Sequence, residues 1–257
     1  MELAKIDKLV CSWMQRVREI ILTGMQCTLT VTTKTNRNDL VTNMDRQVEQ
    51  FYHQQIKEAF PASVILGEEA KHHPVRVPEQ GMLWVVDPID GTMNFVRQQT
   101  DFATMIALFI NGQLVRGYIL DVPRNELFWG GPGEAVHRNK QQLASPANVA
   151  LKDGLVQVSN RFILNDYAHS KAIINASSGL RVFGSAGVSF IHLLTGRCVL
   201  YMAKLKPWDF LPGVALAMGA GLQVGVLANR PTKLEATSLA VTTPAAWPEI
   251  QQIMDGE

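Results

Sequence analysis

Residues 82–86 are apolar at every position and run directly into Asp87-Pro88-Ile89-Asp90. An unbroken apolar run of this length, ending in two valines, predicts a strand buried on both faces. The carboxylates behind it then sit at the mouth of a core. A second run, Val64-Ile65-Leu66, behaves alike and ends in Gly67-Glu68-Glu69. Carboxylates at the mouths of buried strands are costly, because two like charges about 4 Å apart repel by roughly 4 kcal/mol at an effective dielectric near 20. A divalent cation among them reverses the sign, and hard oxygen ligands suit Mg²⁺.

Pro88 stiffens the segment between the two aspartates, so both side chains and the Ile89 carbonyl can converge on one point. Gly91-Thr92 follow, at the start of a short helix expected over residues 93–96. Gly91 permits close backbone approach, and the free amides of a helix start favour an anion. Carboxylates for a metal beside a cradle for phosphate point to metal-assisted phosphoryl chemistry. The competing reading of the run is a solvated acidic loop around an Asp-Gly turn, and Glu69 taken alone fits either.

The remaining chain supports an ordinary globular enzyme. Its 257 residues suffice for one large domain with a sizeable core. Hydrophobic residues make up 47% and charged residues 18%, far from a disordered profile. A net charge of +1 argues against a general nucleic-acid binder. Cys11, Cys27 and Cys198 are too scattered for a disulfide framework or a thiolate zinc site, which makes a reducing cytoplasm the expected setting. Charged residues from Glu2 to Glu19 interrupt any signal-peptide core. The uncharged stretch 210–229 is broken by Pro212 and by Gly219-Ala220-Gly221, so it reads as a short helix and a strand rather than a membrane span.

Ile6, Leu9, Val10, Trp13, Val17, Ile20 and Ile21 recur at helical spacing, and a second helix is expected over residues 44–60, ended by Pro61. Residues 104–110 and 114–120 form a hairpin about Asn111-Gly112. Residues 126–129 and 134–138 continue as a meander around a glycine-rich turn. Later strands are expected at 154–159 and 179–183, and helices at 186–195 and 213–218. The chain is mixed α/β with substantial antiparallel sheet and no strict βαβ alternation.

Five motifs occur together in order and spacing: Asp39-Leu40-Val41-Thr42 with Asp45, Gly67-Glu68-Glu69, the run from Asp87 through Gly91-Thr92-Met93-Asn94-Phe95, Gly184-Ser185-Ala186, and Trp208-Asp209. Over roughly residues 5–245 this pattern resembles the inositol monophosphatase family of Mg²⁺-dependent, lithium-sensitive phosphatases. The resemblance implies the layered α-β-α-β-α sandwich shared with fructose-1,6-bisphosphatases. It implies one unit over residues 1–257 with two structural halves, about 1–150 and 151–257, and the site between them. It also implies a cytoplasmic homodimer, acting on a small phosphorylated substrate and engaging neither nucleic acid nor membrane.

By the same resemblance, Glu68, Asp87 and the Ile89 carbonyl hold one Mg²⁺. Asp87, Asp90 and Asp209 hold a second, and a weaker third site involves Glu68. Thr92 and Asp45, helped by Glu68, orient the nucleophilic water and accept its proton. Asp90, Gly91, Thr92, Gly184, Ser185, Ala186, Met202 and Asp209 surround the substrate, and Lys34 supplies a supporting charge. Read without the resemblance, Asp209 is an ordinary cap of the following helix and Asp45 a surface acid.

Three segments depart from the family pattern. Met202 stands six residues before Trp208, where inositol-specific members carry a glutamate that binds sugar hydroxyls; losing such a hydrogen bond weakens recognition by about 1–3 kcal/mol. Leu211-Pro212 replaces two small residues, with Pro212 expected in a tolerant first helical turn. The stretch after Phe95 also differs. Substrates carrying other phosphates, such as fructose-1,6-bisphosphate, NADP or an adenosine bisphosphate, therefore stay in contention, as does a non-catalytic phosphate-binding regulator. Aspartyl-phosphate chemistry of the haloacid-dehalogenase type needs aspartates two residues apart, whereas Asp87 and Asp90 are three apart. His72-His73, beside Lys71 and Pro74, read as an exposed loop; His137, His169 and His192 read as surface or core residues. Ser159-Asn160 and Ser185 form no nucleophile-base arrangement with a nearby histidine, so covalent serine chemistry is not expected.

Overall fold

The computed structural model describes residues 3–26, 30–33, 40–69, 76–227 and 234–256. Two long helices open the chain, α1 (Leu3–Gly24) and α2 (Asn43–Ala59), with the small antiparallel pair β1 (Val31–Thr33) and β2 (Leu40–Thr42) between them. A seven-stranded sheet follows, in the order β3 (Val64–Gly67), β4 (Met82–Asp90), β5 (Ala103–Ile110), β6 (Gln113–Asp121), β7 (Glu126–Gly130), β8 (His137–Arg138) and β9 (Gln141–Gln142). The short helix α3 (Thr92–Gln98) leaves the end of β4. Within this sheet, among the described residues, β3 pairs parallel with β4 and the other pairs are antiparallel.

The later chain contributes β10 (Leu155–Val158), α4 (Asn160–Asn165), α5 (Ser170–Ala176), β11 (Gly179–Arg181), α6 (Ala186–Leu194), β12 (Leu200–Leu205), α7 (Pro207–Gly219), β13 (Gln223–Val226), β14 (Thr237–Thr242) and α8 (Trp247–Asp255). Its five strands form a second sheet in the order β11-β10-β12-β14-β13. Strands β11 and β12 both run parallel to β10, so all three point the same way.

Burial divides the molecule into layers. Val10, Trp13 and Val17 of α1 and Val48, Tyr52 and Ile56 of α2 pack on Trp84, Val86, Ile106 and Tyr118, one face of the first sheet. The opposite face, through Met105, Ile119 and Phe128, meets Phe190 and Leu194 of α6 and Leu216 of α7, which in turn meet Tyr201, Ala203 and Val241 of the second sheet. The outer face of that sheet packs Val156, Val158, Leu200 and Met202 against Phe162, Ile173 and Ile250 of the last helices. The result is the expected α-β-α-β-α sandwich.

Several elements differ in extent from expectation. The strand expected at 134–138 shrinks to His137–Arg138, because the glycine-rich turn extends to Glu134, whose N–H closes it on the Gly131 carbonyl at 3.1 Å. Helix α7 begins six residues earlier than expected, with Pro207 at its first position, where a missing N–H costs nothing. Pro212 therefore lies inside the helix and not in its first turn. It removes the donor that the Trp208 carbonyl would receive. Gly117 of β6 accommodates the proline, since a Cβ there would come within 2.1 Å of the Pro212 carbonyl oxygen.

Candidate active site

Parallel pairing of β3 with β4 puts Gly67 opposite Val86, and the Glu68 N–H continues the ladder to the Val86 carbonyl at 3.2 Å. Glu68 and Asp87 thus leave neighbouring strands together. The register against β5 shifts between Asp87 and Asp90: three steps on β4 face two on β5, from Met105 to Ala103. This bulge is what Pro88, which has no N–H for a ladder bond, permits within a central strand. It re-aims the strand end so that Asp87 and Asp90 both serve one cleft.

Helix α2 delivers Asp45. Thr42 caps the helix, accepting the N–H groups of Met44 at 3.1 Å and Asp45 at 3.3 Å, while Asp45 Oδ2 accepts the Thr42 N–H at 2.7 Å and its hydroxyl at 2.6 Å. This reciprocal capping box fixes the carboxylate. Its other oxygen, Oδ1, lies 3.3 Å from Thr92 Oγ1, which is also 3.0 Å from the Ile89 carbonyl oxygen, so the Thr92 proton reaches either acceptor. Gly91, just before, adopts φ 84°, and a Cβ there would come within 2.9 Å of Ser185 Cβ. Glycine is required on both counts.

Asp90 reaches across to α6. Its Oδ1 accepts the Ala186 N–H at 2.9 Å, and its Oδ2 accepts the Gly187 N–H at 2.7 Å and the Ser185 hydroxyl. Ser185 itself caps α6 through Val188 N–H. Asn94 Nδ2 donates to the Asp101 and Phe183 carbonyls, both at 2.8 Å, which fastens the approach to Gly184 onto α3. Asp209 is the third residue of α7 rather than its cap, and its Oδ2 accepts the Lys206 N–H at 2.8 Å.

The acids raise one another's pKa. Asp87 is pushed well above the carboxylate range, first by burial and then by Glu68, Asp90, Asp209 and Asp45. Burial, reinforced by Asp90 and Glu68, lifts Asp209 to about 8. Burial lifts Asp45 to about 6 against the Thr42 hydrogen bonds that oppose it, and it raises Asp90 despite its three donors. Among the described residues, no three His, Cys, Asp or Glu side chains are already gathered to hold a metal ion. Asp90 and Asp209 instead turn oxygens to backbone donors. A divalent cation nevertheless fits this set: Asp87 Oδ1 is buried with no hydrogen-bond partner, in the middle of the negative cluster.

The cleft beside these acids has a volume of about 300 Å³, and its walls include Asp90, Gly184, Ser185, Ala186 and Asp209. Met202 is not among them. It is fully buried on the opposite face of β12, packed with Val156, Val158 and Ala240, so the expectation that it contacts substrate is corrected. Tyr201, Ala203 and Lys204 line the cleft from that strand instead. Lys34, Asp39, Cys27, His72 and His73 lie outside the described residues. His137 stacks on Trp129 and His192 on Phe183, while His169 is exposed. Cys198 sits in the turn after α6, and burial raises its thiol to about 11.

Sequence reasoning overlooked Glu49. Its Oε2 accepts the Glu69 N–H at 2.7 Å, and its carboxylate packs where a Cβ on Gly67 would lie, which ties the Gly67-Glu68-Glu69 turn to α2. The available signal was spacing: Glu49 stands one helical turn after Asp45, on the buried face with Val48 and Tyr52.

The layered fold and this carboxylate cleft define a phosphatase, a hydrolase of phosphoric monoesters. The chain belongs to the inositol monophosphatase family, whose model matches residues 2–254. It is 33% identical over 247 residues to the inositol-1-monophosphatase of Bacillus subtilis (strain 168), covering 94% of this chain and 93% of that one. It is 30% identical over 190 residues to the Nus factor SuhB of Escherichia coli (strain K12), covering 72% of this chain and 70% of the other. Among solved structures it resembles an IMPase/NADP phosphatase complexed with Mg²⁺ and phosphate, with a TM-score of 0.88 at 27% identity over 99% of this chain and 97% of that chain.

Proposed function

We propose that this chain is a Mg²⁺-dependent phosphomonoesterase acting on a small phosphorylated polyol or sugar of the inositol-1-phosphate kind. The observation that carries the reading is Asp87 Oδ1, buried and unpartnered amid Glu68, Asp90, Asp209 and Asp45. Glu68, Asp87 and the Ile89 carbonyl would hold one ion; Asp87, Asp90 and Asp209 would hold another, with Glu68 offering a weaker third position. When bound, the cation supplies charge neutralisation and acidifies a coordinated water.

The chain's own groups do the rest. Thr92 Oγ1, held between the Ile89 carbonyl and Asp45, orients the attacking water by hydrogen bonding. Asp45, lifted to about 6, is matched to accept a proton near neutral pH. First-turn amides of Gly91 and Thr92 present donors to the phosphate. Gly184, Ser185 and Ala186 form the facing wall. Lys34 and a cytoplasmic homodimer remain part of the reading on the family resemblance, and the mass in solution tests the latter.

Two further readings have a specific support. The structural likeness to an IMPase/NADP phosphatase favours a substrate bearing more than one phosphate. The name of the E. coli relative, a Nus factor, favours a non-catalytic role; the complete acidic set here favours catalysis over it. The test is phosphate release, with Mg²⁺ and with EDTA, from inositol-1-phosphate, fructose-1,6-bisphosphate, NADP, adenosine 3′,5′-bisphosphate and glycerol-2-phosphate. Mg²⁺-dependent release that Asp87→Asn lowers at least about a thousandfold is expected. An Asp87→Asn variant with undiminished turnover would end the metal assignment.

A further inference from the structure

The stretch after Phe95, which departs from the family pattern, holds strained backbone. Gln99 adopts φ 55° and Asp101 φ 53°, two left-handed residues that are not glycine, with Thr100 between them. Such residues persist where the surrounding contacts fix them, and they collect beside functional sites. The contacts here start from the register of the first sheet. Ala103, at the start of β5, pairs with Asp90 of β4 on one side and with Asp121 of β6 on the other. The segment just before Ala103 therefore lies between a candidate metal ligand and the end of β6.

One guanidinium spans that gap. Asp121 is buried; its Oδ1 accepts the Arg124 N–H at 3.0 Å and its Oδ2 accepts Arg124 Nη1 at 2.9 Å. Arg124 Nη2 donates to Asp101 Oδ1 at 3.0 Å. The side chain is thus fixed on a buried carboxylate and grips the left-handed residue with its other arm, as a planar fork allows. Asp101 passes the restraint on through its backbone. Its carbonyl accepts Asn94 Nδ2 at 2.8 Å, and the same amide donates to the Phe183 carbonyl at 2.8 Å. A Cβ on Gly91 would lie 3.4 Å from the Asp101 carbonyl oxygen. Phe183 precedes Gly184 and stacks on His192 of α6, with ring centroids 4.1 Å apart. The contacts therefore run from Arg124, in the turn after β6, to Gly91 and Gly184 on the two sides of the cleft.

We propose that Arg124 is a positioning residue, clamping Asp101 so that Asn94 keeps Gly91 and Gly184 at the spacing that admits a phosphate. An exposed ion pair by itself contributes little. This one differs, because one arm is anchored on a buried acid and the other closes on strained backbone beside the cleft. Arg124 acts through Asp101 and Asn94 and not on the substrate. Releasing it lets residues 99–101 relax and the two sides of the cleft drift. The acids meanwhile keep their own fastenings: Asp90 on α6, Asp209 on Lys206 and Asp45 on Thr42. This role rests on the phosphatase reading and adds to it a determinant of how tightly the site holds phosphate.

The test measures KM and kcat for the ester cleaved most readily, and the Kd of inorganic phosphate by calorimetry in Mg²⁺, on the full chain. Arg124→Ala should raise KM and the phosphate Kd about tenfold, with kcat at saturation within about threefold of wild type. Asp101→Asn tolerates left-handed backbone but lacks the charge, and should act in the same direction. Arg124→Lys, a point charge in place of a fork, should lie between. The double variant Arg124→Ala/Asp101→Asn should be no weaker than the worse single variant, since both break one link. Unchanged KM and phosphate Kd in Arg124→Ala, losses that multiply in the double variant, or a fall in kcat alone would overturn the clamp. If Arg124→Ala does not fold, Asp101→Asn and Arg124→Lys decide by the same constants. Phosphate binding separates this failure from that of the phosphatase reading. A chain that cleaves no ester, yet binds phosphate more weakly once Arg124 is removed, keeps the clamp and loses the activity. A chain that neither cleaves nor binds loses both.

Discussion

Asp90 Oδ2 accepts the Gly187 N–H at 2.7 Å, joining the last residue of β4 to the first turn of α6. A candidate metal ligand is therefore also the fastening for the helix that carries Ser185 and Ala186. The contact needs glycine: a Cβ at position 187 would come within 2.8 Å of Ala103 Cβ and 3.0 Å of Asp90 Oδ2. Gly187→Ala should destabilise the chain by about 1–3 kcal/mol, as overpacking does. Because the strain falls on the candidate ligand itself, the apparent affinity for Mg²⁺ should drop as well. Thermal melts and Mg²⁺ titrations of activity measure the two effects, and a variant with wild-type values for both would detach Asp90 from α6.

The acidic cluster sets a pH dependence. Asp209 is lifted to about 8 and Asp45 to about 6, each chiefly by burial, from an unfolded value near the ordinary carboxylate pKa of about 3.9. The folded chain consequently binds protons more tightly than the unfolded one, so these groups favour folding at low pH. Their contribution is lost as pH rises from about 4 through 8. In EDTA the Tm should be lower at pH 8 than at pH 5.5, with about 2–4 °C lost per kcal/mol in a chain of this size. Mg²⁺ should restore it at pH 8, and Asp209→Asn should flatten the decline between pH 6 and 8. A Tm in EDTA that rises from pH 5.5 to 8 contradicts the burial of uncompensated charge.

Glu49 holds the turn that presents Glu68. Glu49→Ala removes an ionic acceptor from the Glu69 N–H, an interaction of about 1.5–3 kcal/mol, and leaves space beside Gly67. The expected signature is a rise of about tenfold in the Mg²⁺ concentration needed for half-maximal activity, with kcat at saturating Mg²⁺ less affected. Glu49→Gln, which retains an acceptor, should lie between. An unchanged Mg²⁺ requirement in both variants would separate Glu49 from the site.

Met202 offers a test of the layer in which it lies. Placing a glutamate there to mimic inositol-specific relatives puts a carboxyl among Val156, Val158, Leu200 and Ala240. Burial of an unpaired carboxyl costs several kcal/mol even when it stays protonated. Met202→Glu should therefore lower the Tm by at least about 10 °C and leave the ranking of substrates as it was. A stable variant with improved use of inositol-1-phosphate would put position 202 in the cleft after all.

Much of this molecule was legible as residue pattern. The apolar run before Asp87 became a strand buried along nearly its whole length, whereas the run before Glu68, expected to be buried as well, became its parallel neighbour at the sheet edge, with Val64 41% exposed. Asn111-Gly112 marked the hairpin between β5 and β6, and Gly91 the close backbone approach, here to Ser185; Pro88 was legible as a stiffener, and the bulge it sits in was not. Asp45, by contrast, reads as a surface acid until Thr92 of α3 is brought against α2.

What tertiary structure alone decided is which side of each element meets the cleft. Strand β12 reads Leu-Tyr-Met-Ala-Lys-Leu, nearly apolar on both faces, because helices cover both sides of its sheet. Alternation separates Tyr201 and Ala203 from Met202, but period two has no sign: it says that two faces exist and not which is inner. The stacking of α6 and α7 between the sheets settles that choice, sending Met202 outward to Phe162 and Ile250 and leaving Tyr201 to the cleft. Local chemistry wrote the acids and their turns into the sequence, and long-range packing decided which side chains face them.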